Sequence, residues 1–406
     1  MNTTNLKFKS AIAAALLALP TIVNAQIQPT QDVIGRESSN NIISTVASFL
    51  LIAPDSRAGA MGDAGVATSP DINSQHWNAA KYVFAEDRMG VSLSYMPWLK
   101  NYVDDMNICY LAGFNKIKNN QAIGYSLTYF SLGDMTFTDI NGSVIKQFTP
   151  KEFAIDGSYS LKLADDLSAS LTMRYIYSNL TGGATVNGSE ETHAGHAIAG
   201  DIAVYYNKAF EGSKYTHILG LGANISNIGT KMSYTKNNSN FIPTNMKLGA
   251  AYTLELDKYN SITATFDINK LLVPTPPIRV NDTIVKGKDD DVSVPVGIFR
   301  SFGDAPDGFK EELKEISYSM GLEYWYSKTF AGRMGYFSEH KDKGGRKYLT
   351  FGVGLKLNVF SFDFSYLVTT TASNPLQNTV RFTLGLNFDK MNKGTKSPSK
   401  ESSPNN

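Results

Sequence analysis

Between about Met89 and Phe388 the chain repeats one pattern roughly fourteen times: about ten residues alternate apolar with small or polar, end in an aromatic, and turn. Charges such as Arg174 and Asp267 fall mid-run, always on the polar phase. Side chains of a strand alternate between two faces. One face of each run is therefore an apolar row, while the other carries charge. That combination fits lipid outside and water or protein inside. A large soluble antiparallel β-protein is the competing reading, because alternation alone is not unique to membranes.

The C-terminal third shows the pattern most clearly. Tyr318, Met320, Leu322, Tyr324 and Tyr326 share one phase, as do Leu349, Phe351, Val353, Leu355 and Leu357, and then Phe360, Phe362, Phe364, Tyr366 and Val368. The opposite phase carries Asp156, Lys162, Arg174, Asp201, Lys247, Asp267, Glu323, Arg333, Lys356, Asp363 and Arg381. In hydrocarbon each would cost roughly 2–4 kcal/mol at mid-depth. A wet lumen in which these charges pair removes most of that cost. Closing an even number of strands also satisfies every backbone group, which an open sheet in lipid cannot do. The expectation is an all-β chain: a fourteen-stranded antiparallel outer-membrane β-barrel over residues 89–388.

The connections alternate in length. Those near 116–120, 164–166, 207–216, 255–260, 327–329 and 358–359 are short, while 132–150, 178–195, 228–244 and 270–315 are long. Outer-membrane barrels have short periplasmic turns and longer extracellular loops, so both ends of the barrel chain face the periplasm. Lys7 and Lys9 precede an apolar stretch from Ala11 to Val23, and Val23-Asn24-Ala25 fits a small-residue cleavage site. Residues 1–25 read as a signal peptide, 26–38 as an N-terminal periplasmic segment and 389–406 as a disordered periplasmic tail. The protein is expected in the bacterial outer membrane, its loops at the cell surface and in contact with membrane lipids and lipopolysaccharide. The single cysteine, Cys109, allows no disulfide framework or thiolate cluster. A net charge of +1 gives no basis for a nucleic-acid partner.

Two segments lie outside the alternation. Residues 39–88 are rich in glycine and small side chains that permit close packing of irregular backbone, and carry Asp55, Arg57, Asp63, Asp71, Trp77 and Asn78. Irregular backbone at membrane depth survives only inside protein or a wet cavity, so a plug (hatch) within the lumen is expected; a small periplasmic cap is the alternative. Residues 270–315 form the longest extracellular loop, unusual without a role. It opens with Leu271, Leu272, Val273, Pro274, Thr275, Pro276 and Pro277, and later carries Phe299, Phe302 and Phe309. A short helix capped by Asp304 or Asp307 is expected near its end, with Phe309, Leu313 and Ile316 on one face. Apolar and proline-rich sequence on the water side reads as a partner-contact surface, or as a self-packed lid.

Catalytic and metal chemistry find little support. His193 and His196 lie three apart in a Gly-rich loop without a carboxylate at helical spacing. His217 starts a run near the periplasmic rim with no acid partner, and Asp289, Asp290 and Asp291 lack the spacing of a calcium loop. No enzyme activity, cofactor or metal is expected.

The stretch Asp63-Ala64-Gly65-Val66-Ala67, then Asp71, then Trp77-Asn78-Ala79-Ala80-Lys81 resembles the hatch region of FadL-type barrels. Those are fourteen-stranded transporters of hydrophobic compounds with a plugged lumen. Ala79 stands where that hatch motif usually has proline, a departure from the fatty-acid transporters. Asp55-Ser56-Arg57-Ala58-Gly59-Ala60-Met61-Gly62 and the run from Asp267 to Pro277 resemble the PorV-like family more closely, the FadL-like barrels of the type IX secretion system in Bacteroidetes. So do Ser301-Phe302-Gly303-Asp304-Ala305-Pro306, Glu323-Tyr324-Trp325-Tyr326 and Arg333-Met334-Gly335-Tyr336-Phe337. The resemblance implies a non-enzymatic barrel that takes cargo bearing a C-terminal secretion domain from the type IX translocon barrel and delivers it to a sortase-like attachment complex. The alternative is a FadL-like transporter of hydrophobic small molecules such as long-chain fatty acids. A shuttle exposes apolar surface on its long loop; a transporter lines a lumen pocket with it. The Ser, Thr, Gly and charge of the inward phase favour the shuttle.

Overall fold

Each alternating run forms a strand because its two phases meet different surroundings. The structure, a computed structural model, describes residues 42–388 apart from 101, 102, 104, 139, 140, 187–189, 237, 282 and 371–373. The expectations for residues 1–25, 26–38 and 389–406 lie outside the described residues. The strands are β1 (Met89–Pro97), β2 (Asn107–Lys118), β3 (Gln121–Ser131), β4 (Lys151–Ala164), β5 (Leu167–Asn179), β6 (Gly195–Glu211) and β7 (Thr216–Gly229). They continue with β8 (Asn245–Glu255), β9 (Asn260–Leu271), β10 (Ile316–Tyr326), β11 (Phe330–Ser338), β12 (Lys347–Leu357), β13 (Phe360–Thr369) and β14 (Val380–Asn387).

Every strand pairs antiparallel with its neighbours in sequence, and β14 pairs with β1 from Gly90↔Asn387 to Tyr95↔Phe382, closing the ring. The fold is therefore a closed fourteen-stranded antiparallel β-barrel, in which no strand leaves an edge in lipid. No helix among the described residues is long and apolar enough to cross a membrane. The outward phase stays exposed, as at Met173, Leu171, Val353 and Leu384, while Asp156, Arg174, Asp201, Asp267, Glu323, Arg333 and Arg381 on the inward phase are buried.

The strands meet in short turns at one end. At the other end they are joined by long connections that carry, among the described residues, four two-stranded sheets, including Met135–Thr138 with Val144–Phe148 and Ile278–Val280 with Thr283–Lys286. The turn after β6 is shorter than the alternation suggests, because pairing with β7 runs on to Glu211↔Thr216. One irregularity in that pair has a purpose inside the barrel. The register shifts between Gly200 and Ile202, so that Ser226 and Asn227 oppose Asp201 alone. Asn227 takes φ 59°, which asparagine tolerates, and its amide donates to Asp201 Oδ1 at 2.8 Å.

Val353 lies mid-strand on the lipid face, opposite Gly332 and Phe364. Val353→Arg is expected to destabilise the folded barrel by roughly 2–4 kcal/mol in urea titrations in lipid vesicles. Lys356→Arg, on the lumen phase, should leave the midpoint within error. Equal midpoints for the two variants would contradict the assignment of faces.

Candidate functional site

Residues 42–88 thread the barrel from its extracellular end to the start of β1. Val46 N donates to Phe241 O in the connection after β7 at 3.0 Å, so the described chain begins at the extracellular end. The apolar residues Phe49, Met96, Ile108 and Phe130 pack together and hold this stretch inside the barrel near that end. A short helix α1 (Ser56–Gly59) follows, capped by Asp55, whose Oδ2 accepts from Ala58 N at 3.0 Å. The same carboxylate accepts from Trp77 Nε1 at 2.6 Å, tying α1 to helix α2 (Ser74–Trp77). Asn78 ends α2, accepts from Ala80 N at 3.0 Å, and donates to Val66 O and, on β6, to Val204 O.

The barrel wall holds this inner segment from every side. Ser92 on β1 donates to Asn73 Oδ1, Ser160 on β4 to Ala79 O, Ser168 on β5 to Ala80 O and Asn224 on β7 to Trp77 O. Gly65 N and Val66 N donate to Asp267 Oδ2 on β9 at 2.7 and 3.0 Å, and Gly62 N to Thr350 Oγ1 on β12. Arg381 Nε on β14 donates to Ala53 O, and Tyr348 OH donates to Asp63. Contact this close requires glycine. A Cβ at Gly335 on β11 would lie 2.0 Å from Gly62 N, and one at Gly222 on β7 would lie 2.2 Å from Val66 O. Gly62 itself has φ +67°.

Buried charges complete the fit. Arg57 Nη2 lies 2.8 Å from Glu323 Oε1 and its Nη1 2.9 Å from Asp71 Oδ2. Glu323 also accepts from Arg333 Nε at 2.7 Å, its direct cross-strand partner, and Arg333 reaches Asp363 at 2.6 Å. On the opposite wall Arg174 joins Asp156 at 2.8 Å and Asp201 at 3.0 Å, and bonds Asn227. Removing one member of such a set leaves its partners charged, buried and unbalanced. Glu323→Gln is expected to destabilise the barrel by about 3–5 kcal/mol, read as a lowered urea midpoint. A midpoint equal to the parent's would mean that this junction contributes nothing to stability.

The long extracellular loop is held by a second buried network. Lys270 Nζ lies 3.0 Å from Glu312 Oε2 and 2.6 Å from Glu315 Oε2, and Lys343 Nζ lies 2.6 Å from Glu311 and 3.0 Å from Glu315. Thr275 donates from Oγ1 to Glu315 and from its amide to Asp304 Oδ2, while Asp304 N and Ala305 N donate to Glu312 Oε1. Sequence reasoning missed this network. A signal was available in Lys270, which follows Phe266 and Ile268 on the outward phase and so needs protein cover rather than lipid.

The loop departs from expectation in three ways. Leu271 is the last residue of β9, and Leu272, Val273, Pro274 and Pro277 are buried, so these four cannot form an exposed contact surface. Their burial follows from a hydrogen bond, Leu272 N to Thr244 O, and from packing of Pro274 against Gly297. Pro276 is half-buried. A helix α3 (Val294–Arg300) occupies a stretch with no assigned helix, and α4 (Phe309–Lys314) starts after Gly308, with neither Asp304 nor Asp307 as its cap. Asp304 instead folds onto Thr275. Phe299, Phe302 and Phe309 remain exposed, at 79%, 51% and 75%.

Burial pushes the Asp304 carboxyl up to about 6, with Glu312 and Glu315 adding repulsion against the opposing bond from Thr275 N. A carboxyl raised in the folded loop stabilises closure most below its unfolded value of 3.8, and that contribution is lost as pH rises through about 6. Hydrogen exchange of residues 301–315, corrected for intrinsic rate, should therefore quicken between pH 5 and pH 7. Asp304→Asn should flatten this dependence; an unchanged slope in the variant would assign it to another group.

Two cavities flank the inner segment. One of 530 Å³ at the extracellular end is lined by Ile43, Leu51, Trp98, Phe130, Lys247, Leu271, Ser319 and Arg346 among others. One of 340 Å³ at the periplasmic end is lined by Phe84, Phe114, Tyr205, Trp325, Lys356 and Asn387 among others. No metal-capable group of three His, Cys, Asp or Glu side chains occurs among the described residues. His196 Nδ1 meets Tyr175 OH at 2.7 Å, while His193 Nδ1 lies beside the carbonyl of Ala194, so the two histidines do not converge. His217 meets Tyr252 OH rather than an acid.

Residues 35–278 match the family model of the type IX secretion system protein PorV, more than half of the 406-residue chain. Among solved structures, the toluene transporter TbuX of Ralstonia pickettii is similar at 12% identity and a TM-score of 0.44, covering 83% of this chain and 98% of its own. The toluene transporter TodX of Pseudomonas putida gives 10%, 0.42, 81% and 95%, and a FadL homologue from Pseudomonas aeruginosa 10%, 0.39, 86% and 99%, in the same order. No curated protein matches the chain.

Proposed function

Because the chain belongs to the type IX secretion system protein PorV family, and is an outer-membrane barrel of that system, we propose that it is a non-enzymatic carrier of secreted proteins. It captures cargo with a C-terminal secretion domain from the translocon barrel and passes it to the sortase-like attachment complex at the cell surface. The observation that carries this reading is the placement of Phe299, Phe302 and Phe309, large apolar side chains held in water on a braced loop. Exposed apolar groups of this kind mark partner sites, and a loop already ordered by Lys270 and Lys343 loses little entropy on docking. In this reading residues 42–88 act as a plug. They cross the lumen between the two cavities and are bonded to strands all round the ring, which disfavours passive transport of hydrophobic small molecules as the main activity.

A few anchors dominate most interfaces, and truncating one costs about 2 kcal/mol or more. The expected anchors are the three phenylalanines; Leu272 and Val273 now serve to hold the loop. Phe299→Ser, Phe302→Ser and Phe309→Ser combined should lower cargo and translocon recovery in pull-downs at least about tenfold, with the heat-shifted gel mobility of the barrel unchanged. Undiminished recovery with the triple variant would end this reading of the loop.

A further inference from the structure

Lys247 differs from several other buried or half-buried basic side chains. Arg57, Arg174, Arg333, Lys270 and Lys343 each have a carboxylate within 3.0 Å. Among the described residues, Lys247 has no carboxylate at ion-pair distance. Its Nζ lies 4.2 Å from the centre of the Trp77 ring, a contact that leaves its three N–H donors free for an acceptor. Lys247 lines the 530 Å³ extracellular cavity, as does Ser319, whose buried Oγ has no hydrogen-bond partner. Asn269, opposite Lys247 in the β8–β9 ladder, lines the same cavity. A cation over an indole, facing a cavity with an unpartnered hydroxyl, is arranged to receive an anion.

We infer that Lys247 receives the free C-terminal carboxylate of the captured polypeptide, which enters the extracellular cavity chain end first. This rests on the docking reading above. The cavity wall is mixed, with Asn245, Asn269 and Ser317 beside Ile43, Leu51 and Leu271, which suits a polypeptide end that carries both amides and side chains. Asn245, Asn269 and Ser317 can bond backbone amides along the path to Lys247, whereas an acyl chain would leave these groups without partners. The carboxylate would supply the close countercharge that Lys247 lacks.

The test uses the full barrel in detergent and a pool of short degenerate peptides, synthesised once as free acids and once as C-terminal amides. The parent should retain the acid pool at least about tenfold better than the amide pool. Lys247→Met should abolish that preference, and Lys247→Arg should keep it. A parent without acid preference, or a Lys247→Met barrel that retains it, overturns the inference. So does sodium oleate bound in a Lys247-dependent way with no acid preference among peptides, which assigns the seat to a lipid. The acid–amide comparison on the parent needs no variant, so a misfolded substitution does not shelter the idea. Cargo pull-down separates the two proposals. Recovery by the parent together with absent acid preference removes the carboxylate seat alone, whereas no recovery by the parent removes the docking reading beneath it.

Discussion

The bilayer core offers no water to a peptide group, so every strand amide and carbonyl in it must bond to another strand. Closure of β14 onto β1 is the condition that meets this demand. The other features of the molecule follow from it. Once the ring is closed, the two-residue period divides each strand into a lipid face and a lumen face. Charges are then confined to the lumen, where they must find countercharges or donors. Cross-strand pairs supply some, such as Glu323 with Arg333. The remainder comes from the inner segment. Its amides at Gly65 and Val66 solvate Asp267, and its Arg57 joins Glu323. The irregular segment and the ordered wall thus complete each other's hydrogen bonding.

That reciprocity sets the local sequence. Backbone can solvate a buried carboxylate only at contact distance, and contact distance excludes a Cβ at Gly62, Gly222 and Gly335. The Asp55 carboxylate serves two elements at once, capping α1 and receiving Trp77. A segment too short for its own core therefore keeps one conformation through bonds to strands that are far away in sequence.

The barrel was legible in the sequence because its physics is periodic. Val353 and Arg333 announce their faces by position alone, and fourteen runs require fourteen strands. The inner segment was legible as something enclosed, since irregular backbone carrying Asp55 and Arg57 cannot stand in lipid. Its direction was not, because a threading path depends on which wall residue each group meets, and that information is non-local. The packing of the loop is hidden from the sequence for a related reason. Leu272 and Val273 look exposed in a list of apolar loop residues, yet the network of Lys270, Glu312 and Glu315 folds protein over them. Phe299, Phe302 and Phe309 look alike in sequence and differ only because no element covers them.

The two buried networks do different work at different depths. Toward the periplasmic end, Arg57, Glu323 and Arg333 join the inner segment to the wall, so motion of one requires breaking charges in the other. Above it, Lys270 and Lys343 join three pieces of chain: the end of β9, α4 and the β11–β12 connection. A loop held at three points presents its exposed phenylalanines on a surface of fixed shape. Rigid presentation matters for a carrier that meets more than one partner, because each encounter must find the same surface without reordering it. Asp304 makes that rigidity conditional, since its buried carboxyl favours closure when protonated. The barrel thus keeps its stable joint inside the membrane and its adjustable one at the surface, where docking takes place.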